Sequence, residues 1–278
     1  VIVGPDHLDV DIKIRSLILF RTKDKNYSFS FPFVSKSYLS NIPMPDIVYV
    51  HTPFSIGMLA VRFAKNTRIP IVFTHHTNFN YYFHYIPFFN NSIGRYALSK
   101  LYSKFLRYTD LVITPSKSAM QKLINSYEIQ SSKVSVIPTP LSEDIMYSES
   151  VYSKKSFDFI LVGRMSQEKN IFLALEAIKI IIDKIPCVRI AIIGDGILKS
   201  DVELSLDKYI GKNIYLPGEL DNTDVLKHIR QSHLLLFPSV SETQGLVMQE
   251  AWIHEVPVIA VSCGLAKEYV VEGRNGWC

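Results

Sequence analysis

Cysteine is scarce in this chain. Cys187, Cys263 and Cys278 are an odd number among 278 residues and lack metal-ligand spacing. That excludes a disulfide framework and points to a reducing compartment. No apolar run approaches the ~18–20 residues that span a bilayer, so no transmembrane helix is expected. No G-x-G-x-x-G follows a strand pattern, which removes the dinucleotide fingerprint and with it an NAD-dependent enzyme. The opening VIVGPDHLDVDIKIR carries acids but no basic n-region ahead of an apolar run, so no secretory signal is expected there. A start without Met and a stop at NGWC, in mid-pattern, suggest a fragment.

What is present describes a packed protein. The composition is 47% hydrophobic and 20% charged, and the length suits one large domain or two of ordinary size. The net charge of +4 hides an asymmetry. Residues 1–140 hold 16 Lys and Arg against 7 Asp and Glu, whereas residues 141–278 hold 14 against 19. Halves of opposite sign suggest two domains with different partners. The basic half suits a soluble surface or an anionic lipid; nucleic acid is not expected, because no recognition motif accompanies the charge.

Short β-branched apolar runs mark strands at DIVYVH, IPIVFTHH, DLVITPS and KVSVIPT in the first half. In the second half they are FDFILVGR, VRIAIIGDG, NIYLPGE, HLLLFPS and VPVIAV. Between them lie segments with apolar residues three or four apart, including GRYALSKLYSKFLRY, NIFLALEAIKIIIDKI and GLVMQEAWIH. Alternation of this kind predicts βαβ units with parallel sheets, hence an α/β fold. Residues 141–156, LSEDIMYSESVYSKKS, have no clear period and coincide with the charge reversal, so they are expected to link domain 1–140 to domain 157–278. LILFRTK and YSFSFPF, within 10–45, read as strands or as a hairpin leading into the first βα unit.

Open α/β sheets bind ligands at the carboxyl ends of their strands, and polar residues gather there. In SETQGLVMQE, 241–250, a helix starting near Gly245 would expose the backbone N–H groups of Gly245, Leu246 and Val247, which attract phosphate. Glu242 on the preceding loop and Glu250 inside the helix flank those amides, an arrangement that suits a ligand with both phosphate and hydroxyl groups. In FILVGRMSQEKN, 159–170, a strand ends at Gly163, releases Arg164 and delivers Lys169 to the next helix start. Two cations there can neutralise a diphosphate without a divalent metal. Gly194, Asp195 and Gly196 form a tight strand-end turn that lets backbone approach a nucleotide.

The order GRMSQEKN, IIGDG, LPGEL, LLLFPSVSETQGLVMQEA, PVIAV and GRNG resembles the donor half of the retaining glycosyltransferases of family 4, which have the GT-B fold. The resemblance implies two Rossmann-like domains with parallel sheets facing a central cleft. It implies that Arg164 and Lys169 bind the donor diphosphate, that Glu250 holds the ribose, and that Glu242 contacts the sugar or supports developing positive charge. The amides near Gly245 would grip the distal phosphate. VYVHTPFSIG, IPIVFTHHTNFNYYFHYIP and DLVITPSKSAMQKL are similar to the acceptor half of family members that glycosylate diacylglycerol. There the pattern points His76 at the reaction centre, as a hydrogen-bonding partner to the sugar or a local charge stabiliser; His51, His75 and His84 are secondary candidates. NFNYYFHYIPFF, 78–89, with seven aromatics, is expected to line an acyl groove or the membrane interface, or else to pack internally.

The pattern is departed from in places. The Gly-rich loop after the first strand is not recognisable, VIP is followed by Thr139, and His254 and Glu255 stand where the family has a small residue and Gly before PV. The last helix of the family is absent. The expected protein is a cytoplasmic, metal-independent hexosyltransferase, peripheral on the cytoplasmic membrane face. It would use a nucleoside diphosphate sugar, UDP-glucose by preference, and a lipid acceptor such as diacylglycerol. A soluble sugar or polysaccharide precursor as acceptor, or a non-catalytic nucleotide-sugar-binding protein, are the alternatives.

Overall fold

The structure is a computed structural model. It describes residues 2–5, 10–14, 16–21, 28–32, 43–82, 91–141, 145 and 155–278. The chain divides into two compact units, Val1–Pro138 and Thr139–Cys278. Most of the segment expected to link two domains, 141–156, lies outside the described residues.

In the first unit, β1 (Val3–Pro5) and β2 (Ile12–Ile14) form a parallel pair. Of the readings left open within 10–45, both segments are strands and they pair: β3 (Ser16–Arg21) lies antiparallel to β4 (Ser28–Pro32). The main sheet is parallel and runs in chain order, β5 (Val48–Val50), β6 (Ile71–Thr74), β7 (Leu111–Thr114) and β8 (Val134–Val136). Helices α1 (Ile56–Thr67), α2 (Ser92–Tyr108) and α3 (Lys117–Tyr127) connect the strands. Two of them start on the polar residues that the sequence puts there. Asn91 Oδ1 accepts from Gly94 N at 2.7 Å and Ser116 Oγ from Ala119 N at 3.1 Å. Such caps satisfy amides that the helix leaves open, each stabilising by about 1 kcal/mol. Phe73, Tyr102, Phe105 and Val112 lie at the centre of the core, wholly buried.

The second unit holds a six-stranded parallel sheet in the order β11 (Ile214–Gly218), β10 (Ile190–Ile193), β9 (Phe157–Val162), β12 (Ser232–Phe237), β13 (Val258–Ala260), β14 (Gly276–Trp277). All five pairings are parallel. Its helices are α4 (Ile171–Lys184), α5 (Lys199–Leu206), α6 (Asn222–Arg230), α7 (Leu246–Ile253) and α8 (Gly264–Tyr269). The apolar runs are continuous because both faces are covered: every residue of β10 is buried. One core packs Leu161, Ile178 and Ile192 beneath α4, and another packs Ile160, Leu235 and Met248 beneath α7. From β9 the chain steps to β10 and β11, then returns to lay β12 on the other side of β9. The direction of winding therefore reverses between β9 and β12. A reversal of this kind opens a crevice at the strands' carboxyl ends, where open α/β sheets take their ligands.

Candidate functional site

The loops after β9 and β12 carry the residues that the sequence singles out, and they meet at that crevice. Lys169, at the end of a 3-10 turn (Gln167–Lys169), forms an ion pair with Glu242 on the loop after β12. Both side chains are only partly exposed, at 25% and 20%, so the pair is sheltered from bulk solvent. Next to it Asn170 Nδ2 donates to Pro238 O at 3.2 Å, a second link between the same two loops. Asn170 takes a left-handed conformation, φ 56°, which asparagine tolerates better than most residues, and this turns the chain into α4. Arg164 lies half-buried two residues after β9.

Close backbone approach builds the floor beside these loops. Gly163 N donates to Ile193 O at 3.0 Å and Met165 N to Asp195 O at 2.8 Å, stitching the β9 and β10 turns together. A Cβ at Gly194 would stand 2.0 Å from Gly163 O, and one at Gly196 2.4 Å from Met165 O. Both glycines also have positive φ, 141° and 156°. No other residue fits either position, whatever the ligand. Asp195 is engaged within its own turn. Its Oδ1 accepts from Gly196 N at 2.6 Å and its Oδ2 from Lys199 Nζ at 2.8 Å. The Lys199 bond, then the Gly196 N–H, hold its carboxyl below the usual range.

Gly245 sits at the N-terminal boundary of α7 with φ 65°, and a Cβ there would lie 2.8 Å from both Leu265 and Met248 side chains. The N-cap residue is glycine and brings no side-chain cap to the first-turn amides, those of Leu246 and Val247 among them. Glu250, further along α7, is half-buried, and burial raises its pKa above the ordinary glutamate value. Gln244, which sequence reasoning passed over, is buried and fixes this loop. Its Oε1 accepts from Thr139 N at 3.0 Å and its Nε2 donates to Thr139 O at 2.6 Å. The hydroxyls of Ser166, Ser239 and Ser241, on the same two loops, are buried and have no hydrogen-bond partner among the described residues. Such orphaned groups are uncommon in folded proteins.

In the first unit, His76 follows β6 by two residues. Its Nε2 lies 3.1 Å from Nδ1 of His51, the residue after β5, with the rings near-parallel and 5.3 Å apart. Burial, then the neighbouring His51, lowers the His76 pKa. His75 points the other way, into the core, where its Nδ1 meets the Tyr102 hydroxyl at 2.7 Å. Burial takes its pKa down to about 4, so this imidazole is neutral and structural. In the sequence His51 is only a secondary candidate, since the register that sets it beside His76 appears only once β5 and β6 pair. His84 and residues 83–89 of the aromatic loop lie outside the described residues.

Helix α2 presents a different surface. It carries Arg95, Lys100, Lys104 and Arg107 and no acid. Ile93, Tyr96 and Leu101 are 81%, 65% and 39% exposed among them. Among the described residues no helix is long and apolar enough to cross a membrane.

Comparison with known proteins decides the family. Residues 4–144 match the profile of Glycosyltransferase Family 4, and residues 145–278 match that of Glycosyl transferases group 1. The chain belongs to glycosyltransferase family 4. An alpha-monoglucosyldiacylglycerol synthase from Acholeplasma laidlawii is 30% identical over 83% of this chain and 62% of its own length. A protein of the same name from Streptococcus pneumoniae is 27% identical over 90% of this chain and 59% of its own. The chain thus spans about six tenths of these two relatives. Among solved structures, TarM from S. aureus superposes with a TM-score of 0.65 at 19% identity, over 83% of this chain and 44% of that one. The two α/β units are those of the GT-B fold.

Proposed function

We propose that this family 4 protein moves a hexose from a nucleoside diphosphate sugar, UDP-glucose by preference, to diacylglycerol at a membrane surface, with retention at the anomeric carbon. The observation that carries the donor assignment is the meeting of Lys169 and Glu242 across the switch point of the second sheet. A diphosphate entering that crevice would find Lys169, Arg164 and the first-turn amides of α7. Its ribose would find the Glu250 carboxylate, and its sugar would find Glu242. Arg164 and Lys169 supply the positive charge that a divalent ion would otherwise bring.

In the reaction proposed, the acceptor hydroxyl attacks the anomeric carbon on the face that the diphosphate leaves. The carbon–oxygen bond to the diphosphate breaks with its electron pair going to the phosphate oxygen. That oxygen, stabilised by Arg164 and Lys169, takes the hydroxyl proton as the new glycosidic bond forms. Glu242 offsets the positive charge that develops on the sugar, and His76 is a hydrogen-bonding partner to it. Two features support the lipid acceptor: the curated relatives named as monoglucosyldiacylglycerol synthases, and the basic, partly apolar outer face of α2.

The test offers UDP-glucose, UDP-galactose and GDP-mannose with diacylglycerol vesicles to the full chain, with Lys169→Ala and Glu250→Ala as controls. Glucosyl transfer to lipid that both substitutions abolish is the expected result. Donor binding with no transfer to lipid would overturn the acceptor assignment and favour a soluble acceptor or a binding protein.

A further inference from the structure

Gln244 belongs to the loop between β12 and α7, directly before Gly245 and two residues after Glu242. We propose that Gln244 is a positioning residue for the donor. Its side-chain amide ties the far end of this loop to Thr139, and so sets Glu242 and the first-turn amides of α7 where the diphosphate sugar meets them. This rests on the donor reading above.

The contact is a two-point clamp whose sense is fixed by chemistry. Gln244 Oε1 lies 3.0 Å from Thr139 N, and Gln244 Nε2 lies 2.6 Å from Thr139 O. A backbone N–H can only donate and a backbone carbonyl can only accept, so the amide has one orientation and cannot be turned over. Thr139, the first residue of the second unit, is shaped for such a partner. Pro140 follows it, and the residue before a proline is held to extended backbone. Extended backbone sends the N–H and C=O of one residue to the same side, as in the hydrogen-bonded pairs of a ladder. The Gln244 side chain thus takes the place of a neighbouring strand. Gln249 Oε1, on α7 beside Glu250, lies 3.4 Å from the same Nε2, so one buried amide joins Thr139 to the helix that carries Glu250.

The other end of the loop has its own anchor, where Asn170 Nδ2 donates to Pro238 O at 3.2 Å. Glu242 lies between the two anchors, and Gly245 directly after the second. A loop held at both ends keeps its binding groups in one arrangement before the ligand arrives, which lowers the ordering cost of binding. Releasing the Gln244 end frees the chain next to Gly245, the residue with the most conformational freedom to regain.

The test is calorimetric titration of the full chain with UDP, read as the ratio of variant to wild-type affinity at pH 8 and at pH 5.5. The ratio removes the titration of UDP itself and of Glu242 and Glu250, the carboxyl groups near Gln244 in the chain. Gln244→Glu keeps the shape and the acceptor for Thr139 N–H but sets a second oxygen against Thr139 O. Its affinity at pH 8 should fall about tenfold or more, the cost of a broken buried hydrogen bond. At pH 5.5 most of that loss should be recovered, because burial beside a carbonyl keeps the carboxyl protonated and so restores a donor. Gln244→Met fills similar space with no hydrogen-bonding group and should lose affinity equally at both pH values. A merely structural role predicts a lower melting temperature with no recovery of this kind. A Gln244→Glu ratio that is the same at both pH values, or a folded Gln244→Met with wild-type affinity, would overturn the proposal. Deuterium exchange without ligand supplies a separate reading: amides of 238–247 should exchange faster in Gln244→Met while those of β10 stay unchanged. Wild-type protein that fails to bind UDP would sink the donor reading, whereas unchanged exchange in 238–247 would sink the role of Gln244.

Discussion

Lys169 and Glu242, 73 residues apart in sequence, form an ion pair across the line where the second sheet reverses its direction of winding. The two charges satisfy each other. In the proposed function a nucleoside diphosphate takes Lys169 from Glu242, so the two substitutions should act in opposite directions on binding. Lys169→Ala should weaken UDP binding about 10–100-fold, the worth of one or two charge-assisted hydrogen bonds. Glu242→Gln should leave UDP binding equal or tighter by a few-fold, because the lysine is released, while transfer falls by about a hundredfold or more. Calorimetric titration with UDP, set beside the transfer rate, checks both.

Glu250 gives a pH signature. Burial raises its carboxyl pKa in the ligand-free protein, so the folded state holds that proton more tightly than the unfolded chain does. The stability this gives is present at low pH and is lost as pH rises through the folded value, where a desolvated carboxylate must form. Glu250→Gln should therefore raise the melting temperature at pH 8, with the difference vanishing near pH 4. Under the proposed ribose contact it should also weaken donor binding where the carboxylate is ionised, the loss fading at low pH where Glu250 is protonated. A melting temperature unchanged at pH 8 would show that the carboxylate is well solvated after all.

His75 has the opposite sign. It is a base whose folded pKa is lowered to about 4 by burial, so its contribution is full above its ordinary value near 6.5 and is lost as pH falls toward 4. The whole shift corresponds to about 3 kcal/mol, an order-of-magnitude figure. Acid unfolding should begin below pH 6.5. His75→Gln should lower stability at pH 7, where the Tyr102 hydroxyl loses its partner, yet flatten the decline between pH 6 and 4. Urea melts at the two pH values separate these effects.

The parts of this protein legible in its sequence are those with an unbroken physical pattern. Strand β10 and helix α4 are continuous or evenly spaced apolar runs, and the polar strand ends around Lys169 and Glu242 followed directly from them. Helix α5 was not legible. Only Val202 and Leu206 face the core while Leu204 is 82% exposed, so no apolar stripe marks the segment. Helix α6 begins at Asn222, ahead of its first apolar residue, Val225, because Asp221 caps it by accepting from Asp224 N at 2.8 Å. Strands β1, β2 and β14 span two or three residues, too few to show a period. In the site, Gly194, Asp195 and Gly196 read as a strand-end turn, whereas the bonds of Asp195 to Lys199 and Gly196 depend on how that turn closes. His51 and Gln244 could be recognised only through partners distant in the chain.

Glu255 stands where the family has glycine, and the structure keeps the glycine-type backbone. Glu255 has φ 58°, with Glu255 N donating to Trp252 O at 3.0 Å and Val256 N to Ala251 O at 2.9 Å. These two bonds close α7 in a Schellman motif, whose left-handed residue is most often glycine. An L side chain in that conformation costs about 1 kcal/mol. Glu255→Gly should therefore stabilise the protein by about 1 kcal/mol, or ~2–4 °C in melting temperature for a chain of this size, and leave UDP binding unchanged. Thermal melts of the two proteins measure it.

The last prediction concerns α2 and the membrane reading. Its outer face offers Ile93, Tyr96 and Leu101 to the apolar boundary of a bilayer and Arg95, Lys100 and Lys104 to its headgroups. A cation near an anionic surface contributes about 1 kcal/mol, and this attraction decays with salt over roughly 10 Å at 0.1 M. The full chain should therefore sediment with vesicles containing phosphatidylglycerol more than with phosphatidylcholine vesicles, and 0.5 M salt should release much of it. Lys100→Glu with Lys104→Glu replaces two attractive charges by two repulsive ones and should weaken partition by about a hundredfold or more. Ile93→Ser should weaken partition while leaving its salt dependence unchanged, since it removes apolar insertion and no charge. Equal binding to both vesicle types, or no loss with the double reversal, would mean that α2 faces water and that the acceptor reaches the protein by another surface.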